Sequence, residues 1–196
     1  VDDYSTTETV YTAFTSQIGN VNDAPSAGAD QTGAITEDAQ TSTASGTVDS
    51  SDQDTGDTLS YSASAATGTY GSFAVTSSGV WTYTLDNSDA DTTALDAGDT
   101  VTETFTITVS DDASPSLSDT MNVVITITGA NDAPSAGADQ TGAVTEDAST
   151  ATATGTVAGT DADDSASLSY TPSTTSGTYG SIAFSGASWT YTLDNS

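Results

Sequence analysis

The sequence predicts an all-β chain built of tandem antiparallel β-sandwiches of immunoglobulin type. Three observations predict it. Apolar residues and threonines alternate strictly over several short runs, which is the period of a half-buried strand. Turn residues separate those runs: Thr55-Gly56-Asp57, Ser78-Gly79, Asp86-Asn87 and Ala97-Gly98-Asp99, each able to reverse the chain locally. Finally, residues 22–41 read NDAPSAGADQTGAITEDAQT and residues 131–150 read NDAPSAGADQTGAVTEDAST, so the chain nearly repeats itself at a spacing of 109 residues, Asn22 to Asn131. A period that long is a domain, not a solenoid turn.

The strands follow in order. Leu59-Ser60-Tyr61 and Phe73-Ala74-Val75 are short. Trp81-Thr82-Tyr83-Thr84-Leu85 sets Trp81, Tyr83 and Leu85 on one face and threonines on the other. Phe105-Thr106-Ile107-Thr108-Val109 does the same, and Val123, Ile125 and Ile127 share a face of Val123–Ile127. Threonine and aromatic residues suit a pleated surface. Trp81 and its counterpart Trp189 are read as core residues. No window has the spacing of an amphipathic helix. About seven short strands within one 109-residue period indicate a sandwich.

The second copy tracks the first. Glu146-Asp147 matches Glu37-Asp38, Leu168-Ser169-Tyr170 matches Leu59-Ser60-Tyr61, and Gly177-Thr178-Tyr179-Gly180 matches Gly68-Thr69-Tyr70-Gly71. Trp189 to Ser196 match Trp81 to Ser88 after one deletion. The expected division is therefore a tail strand at 1–21 resembling the end of a preceding repeat, a complete repeat at 22–130, and an incomplete repeat at 131–196 lacking its last strands. Phe14, Ser16 and Ile18 fall where Val123, Ile125 and Ile127 fall. A sandwich short of strands exposes core and open edges. Residues 1–21 of one chain completing 131–196 of another would make a head-to-tail fibre; the alternative is a piece of a longer array.

Composition excludes much chemistry. The 196 residues hold 28 acids, 24 of them Asp, and no Lys, Arg, His or Cys, for a formal charge of −28. Nothing can neutralise a phosphate, so nucleic acid and anionic membrane are poor partners. No apolar stretch approaches the ~20 residues of a membrane span, and no signal peptide is visible. There is no disulfide, thiol nucleophile, Schiff-base lysine or imidazole base. Carboxylate, amide, hydroxyl and backbone carbonyl remain, which are the hard oxygens calcium prefers. High charge with modest hydrophobicity is also the mark of disorder, against which the strand patterns count, and an acidic surface also suits high salt.

Thr36-Glu37-Asp38, Gly46-Thr47-Val48, Asp52-Gln53-Asp54-Thr55-Gly56-Asp57, Gly68-Thr69-Tyr70-Gly71, Trp81 to Asn87 and Asn131-Asp132-Ala133-Pro134 occur in that order. The pattern resembles the VCBS-type repeat of large bacterial surface adhesins, a cadherin-like sandwich strung in series, over essentially all of 22–196. The resemblance implies Ca²⁺ at the domain junctions. It implies that Glu37, Asn131, Asp132, Asp161 and Asp163 share ions at the central junction, joined by Asp86 or Asn87. It implies that Asn22, Asp23, Asp52, Asp54 and Asp57 serve the preceding junction, and that Glu146 and Asp194 repeat the first role in the second copy.

The residues themselves argue the same way. Alternate residues such as Asp52 and Asp54 can aim two carboxylates at one ion. Without a cation, like charges ~4 Å apart repel by roughly 4 kcal/mol at an effective dielectric near 20, and this chain has no basic side chain to offset that. Asp57 is the doubtful member, since its partner position is Ala166. Asp111-Asp112 and Asp89/Asp91 are weaker candidates, and lone acids such as Asp30 and Asp49 read as solvated surface.

The function expected is a calcium-stabilised structural segment of an extracellular adhesin or surface fibre, at the cell surface, acting as a rigid spacer and self-assembling if the strand exchange holds. Pro25 and Pro134 restrict the residues before them to extended geometry. The alternative is a calcium-dependent carbohydrate-binding module. Paired carboxylates could also serve a glycosidase, but these acids lie in loops beside turn residues, so no enzyme is expected. Serine and threonine richness permits O-glycosylation.

Overall fold

The computed structural model describes residues 21–149 and 151–195. The expected tail strand at 1–21 therefore lies outside the described residues except for Val21. Seven strands and one short helix occupy the first repeat: β1 (Gln31–Thr36), β2 (Thr43–Thr47), β3 (Ser60–Ala63), β4 (Gly71–Val75), β5 (Val80–Leu85), α1 (Ala90–Thr93), β6 (Thr100–Ser110) and β7 (Ser118–Thr128). They form a sandwich of two sheets, with strand orders β1-β7-β6-β3 and β2-β5-β4. The all-β sandwich expected from the alternation is what is found. Each alternating run turns one row inward: Trp81, Tyr83 and Leu85 from β5, Phe105, Ile107 and Val109 from β6, and Met121, Val123, Ile125 and Ile127 from β7 are all buried.

The interior is a stack of rings between the sheets. Phe73 lies 4.5 Å from Phe105 and 6.0 Å from Trp81, centroid to centroid. The Trp81 ring sits over Gly46, where a Cβ would come within 2.7 Å of it, so β2 needs glycine for this close approach. Gly155 stands in the same relation to Trp189, at 2.6 Å. Gly68 has another constraint. The inward-facing Glu103 of β6 accepts hydrogen bonds from the Thr69 and Tyr70 amides and, at 2.6 Å, from the Tyr83 hydroxyl. A Cβ at Gly68 would collide with that carboxylate.

Two features depart from the sequence reading. Residues 90–93 form one helical turn, capped by Asp89, whose side chain accepts from the Asp91 amide. A turn this short carries no hydrophobic period to read. Also, the pairing is not antiparallel throughout: β1 runs parallel to β7, from Gln31 opposite Val123 to Thr36 opposite Thr128. The parallel pair has a geometric consequence. The chain enters β1 at one pole, where Ala27 donates to Asp119, and leaves β7 at the other, where the Glu37 amide donates to Thr128. Ends at opposite poles are what a linear array of domains requires.

The described residues of the second repeat contain one sheet, β8 (Thr152–Thr156), β9 (Gly180–Ser185) and β10 (Ser188–Leu193), ordered β8-β10-β9, the counterpart of β2-β5-β4. Leu168-Ser169-Tyr170, expected as a strand, is not one. Its counterpart β3 hydrogen-bonds to β6, and β1 to β7. With no β6 or β7 equivalent among residues 131–195, both neighbours lose their ladder and stay irregular. The inner face of this sheet is an open apolar groove of about 550 Å³ lined by Val144, Tyr170, Ile182, Phe184, Trp189 and Tyr191.

Candidate metal centre

Acids gather at both poles of the sandwich, and the loops that carry them are built alike. In the first repeat the Asp54 amide donates to Asp52 Oδ1 at 2.8 Å, and in the second the Asp163 amide donates to Asp161 Oδ1 at 3.2 Å. This turn, in which an Asp side chain binds a backbone two residues on, folds the D-x-D loop. The preceding linker docks identically on each: the Asp23 amide donates to Asp54 Oδ2 at 2.6 Å, and the Asp132 amide to Asp163 Oδ2 at 3.0 Å.

At the central junction the structure brings together Glu37, Asp132, Asp161 and Asp163. Glu37 is 2% exposed. Its Oε2 accepts from the Ala130 amide at 3.0 Å, while its Oε1 has no partner. Asp163 Oδ1 and Asp132 Oδ2 are likewise buried without partners. Asn131, Asp132, Asp161 and Asp163 line a cleft of about 530 Å³. Asp86, expected with Asn87 at this junction, accepts through Oδ1 from the Ser88 hydroxyl at 2.6 Å and the Ser88 amide at 2.9 Å. Those bonds, the hydroxyl's first, hold its carboxyl below the usual range. Its neighbour Asn87 is the one with a buried, unpartnered Oδ1. Two residues escaped the sequence reading. Asp38 adopts positive φ, 54°, as does Asp147 at 58°, a conformation Asp tolerates better than most residues; the repeated Glu-Asp pair was the available signal. Asp96 lines the central cleft, but it lies in a stretch with no second copy to compare.

At the other pole, Asp52, Asp54 and Asp57 each place a carboxylate oxygen within 4.8 Å of the others. Asp57, doubtful from sequence, thus joins its neighbours in space. Asp52 Oδ2 and Asp57 Oδ2 are buried without partners. Asn22 donates to Asp111 at 2.9 Å and to the Pro115 carbonyl at 3.0 Å. Asp111 is buried and caps the β6–β7 turn through the Ala113 and Leu117 amides. Asp112 accepts from the Thr58 amide. Asp89 caps α1, Asp30 accepts from the Asn122 amide at 2.7 Å, and no ligand arrangement involves Asp49 or Asp91 among the described residues. In the second repeat Glu146 and Asp194 are exposed. Glu37 is buried by the chain leaving β7, and residues 131–195 hold no equivalent of that chain.

The electrostatics show strain of one sign. Glu37, Asp57 and Asp132 are all held above their ordinary values, first by burial and then by neighbouring carboxylates: Asp132, Asp38 and Asp163 around Glu37, Asp54 foremost around Asp57, Asp38 foremost around Asp132. The donor set fits a hard dication: several buried carboxylate oxygens, an amide oxygen, no competing cation. A pH dependence follows. An acid raised in the fold is easier to ionise when unfolded, so stability from these three is full below the ordinary values of 3.8 and 4.5 and is lost as pH rises above them. Asp86, Asp111 and Asp119 are lowered, so their stabilisation is present above 3.8 and lost below it. In chelator, the melting temperature should therefore rise as pH falls from 7 to about 4.5, then drop. In saturating Ca²⁺ the rise should vanish, because the ion favours the charged carboxylates. Identical pH profiles with and without calcium would refute a shared cation site.

The first repeat is thus a β-sandwich that the chain enters and leaves at opposite poles, with acids clustered at both. Residues 22–129 match the family model for the bacterial cadherin-like domain, and the chain belongs to that family. Domains of this family are typically extracellular, generally non-enzymatic and usually bind calcium. No helix among the described residues is long and apolar enough to cross a membrane. No curated protein matches. Among solved structures, the chain is similar to human CDH23 EC21-23 at 22% identity, covering 73% of this chain and 47% of that one with a TM-score of 0.45. It is similar to mouse cadherin-23 EC22-24 at 20% identity, covering 84% and 51%, TM-score 0.44. A nucleoside hydrolase-related hypothetical protein from Saccharophagus degradans matches at 25% identity, covering 54% of this chain and 26% of that one, TM-score 0.38. The chain thus spans from a quarter to about half the length of these structures.

Proposed function

We propose that this chain is a spacer segment of an extracellular bacterial adhesin or surface fibre, made of VCBS-type cadherin-like repeats with boundaries near residues 22 and 131 and stiffened by Ca²⁺ at each joint. The central joint would hold the ion with Glu37, Asn131, Asp132, Asp161 and Asp163, and Asn87 stands ready at the same pole. The preceding joint would use Asp52, Asp54 and Asp57 with Asn22 and Asp23. The observation that carries this reading is the set of buried, unpartnered carboxylate oxygens at both poles of a chain without one basic side chain. A bound dication supplies the positive charge they lack and ties the linker to both repeats. Small-angle scattering in calcium and in EDTA tests it: the particle should be long and stiff with the ion and shorter without it, and superimposable profiles would reject the reading.

Self-assembly is the second part of the proposal, favoured by the open apolar face of β8-β10-β9. In the first repeat the equivalent face is covered by β6 and β7. Residues 1–21 of another copy present Phe14 and Ile18 at the positions of Val123 and Ile127, so a head-to-tail partner can supply the β7-like strand. Sedimentation in calcium should show concentration-dependent association that is lost on deleting residues 1–20. A chain that stays monomeric at high concentration removes this part and leaves the spacer intact.

A further inference from the structure

The first repeat shows how a covering strand is received. On the inward row of β6, Glu103 stands two residues before Phe105. Its carboxylate accepts from the Thr69 and Tyr70 amides and the Tyr83 hydroxyl, three donors converging on one acid. Burial first, and then that hydrogen bond, keep the Tyr83 hydroxyl protonated well above its ordinary range. The second repeat carries the same socket. The Gly177 amide donates to the Gly180 carbonyl at 2.8 Å, as Gly68 does to Gly71, and the Asp194 amide donates to the Tyr179 carbonyl at 2.9 Å, as Asp86 does to Tyr70. A Cβ at Gly180 would come within 2.6 Å of the Tyr191 hydroxyl, against 2.8 Å for Gly71 and Tyr83, so both tyrosines overhang their turns alike. The acid makes the difference. A Cβ at Gly68 would strike the Glu103 carboxylate, whereas one at Gly177 would meet only the Gly180 carbonyl, at 3.5 Å. Among the described residues the Thr178 and Tyr179 amides and the Tyr191 hydroxyl have no acceptor, and Tyr191 opens onto the apolar groove.

In a chain without Lys, Arg or His, converging amides are one of the few ways to hold an anion, and a charged acceptor strengthens each bond. Residues 7–15 read TETVYTAFT, against TETFTITVS at residues 102–110. In this register Glu8 takes the place of Glu103, Val10 that of Phe105 and Phe14 that of Val109, with Thr12 for Ile107 the one polar exchange on the inward row. The β7 register instead sets Glu8 on the place of Leu117, across from Asp111 and a strand's length from Glu103, and Ser16 on that of the buried Ile125. We infer that the open sheet of the second repeat binds residues 7–15 of a second copy in the β6 register, with the Glu8 carboxylate on the Thr178 and Tyr179 amides and the Tyr191 hydroxyl. This rests on the strand exchange proposed above and fixes its register. Because β6 and β7 are antiparallel, the exchanged strand then runs toward the joint, and the partner lies alongside.

Sedimentation in calcium compares the parent with Glu8→Gln, Tyr191→Phe and Asp3→Asn. The chain carries a charge of −28, so removing one acid should by itself ease repulsion between copies and tighten association. The socket demands the opposite at one position. Glu8→Gln and Tyr191→Phe should each weaken association about ten-fold, the double variant should lose less than the product of the two, and Asp3→Asn should not weaken it. Unchanged or tighter association of Glu8→Gln would overturn the socket and leave the exchange to the β7 register. A synthetic peptide of residues 4–17, added to dilute full-length chain, separates the receptor from self-assembly. It should shift the backbone NMR signals of Thr178 and Tyr179 and leave those of Thr69 and Tyr70, whose socket Glu103 fills. A chain that takes the peptide there without self-associating fails the fibre and keeps the register; unmoved Thr178 and Tyr179 signals would refute the socket outright.

Discussion

Stripping divalent metal from this chain is expected to lower its melting temperature by roughly 10 °C and to shorten it in solution. The size follows from linkage. A ligand present at a hundred times its dissociation constant stabilises the state that binds it by about 2.7 kcal/mol, and about 1 kcal/mol moves the melting point of a domain this size by roughly 4 °C. The direction follows from the sites. Glu37, Asp132 and Asp163 each keep a buried oxygen without a partner, and Asp52 and Asp57 do the same at the far pole. Ionised and bare, these groups pay desolvation and repel one another. On the proposed function, calcium would make the same groups ligands and turn their proximity favourable. The shortening has a separate origin, since Asp132 belongs to the linker and Glu37 and Asp163 to the two repeats. On that reading, removing the ion should free the hinge and destabilise the folds together. Calorimetry and scattering on one sample, with EDTA and then with calcium restored, check both effects, and a melting point indifferent to chelation would count decisively against the sites.

Trp81→Ala should be the most damaging single core substitution, and Trp189→Ala, its counterpart 108 positions later, much milder. Trp81 is 2% exposed, stacks on Phe73, covers Gly46 and donates from Nε1 to Gln31 at 2.7 Å. Deleting a large buried aromatic costs about 3–5 kcal/mol, against a total of about 5–15 kcal/mol for a typical domain. Trp189 occupies the same place in its own sheet, but its Nε1 has no partner and its face is an open groove. Less contact is lost and no closed cavity forms there. The expected loss is under half that of Trp81→Ala. Calorimetric unfolding of each variant in calcium measures the difference, and equal losses would mean that the second sheet is covered in solution.

The β-sandwich was legible because its signal is local. Alternation at period two places Trp81, Tyr83, Phe105, Ile107, Ile125 and Ile127 on inward rows whatever their partners. The repeat at 109 residues pointed to the D-x-D loops because side-chain-to-backbone turns close over two residues, so Asp52-Asp54 and Asp161-Asp163 fold alike. Pairing is another matter. β1 takes β7 as a parallel neighbour 92 positions away, Gln31 to Val123, and no run of six residues encodes its partner. Leu168-Ser169-Tyr170 reads as a strand and is none, since a strand exists only against another.

Asp57 and Asp96 show the same division among the acids. Spacing left Asp57 doubtful, yet the loop curls and sets it beside Asp52 and Asp54. Asp96 carried no repeat to mark it, yet its Oδ1 accepts from the Ser165 amide of the second repeat. What residue type and order determine here is short-range: which face is apolar, where the chain turns, which chemistry is possible without Lys, Arg, His or Cys. Strand pairing, the burial of Glu37 and the meeting of Asp96 with Ser165 are decisions of the folded chain, because each depends on groups far apart in sequence being brought within a few ångströms.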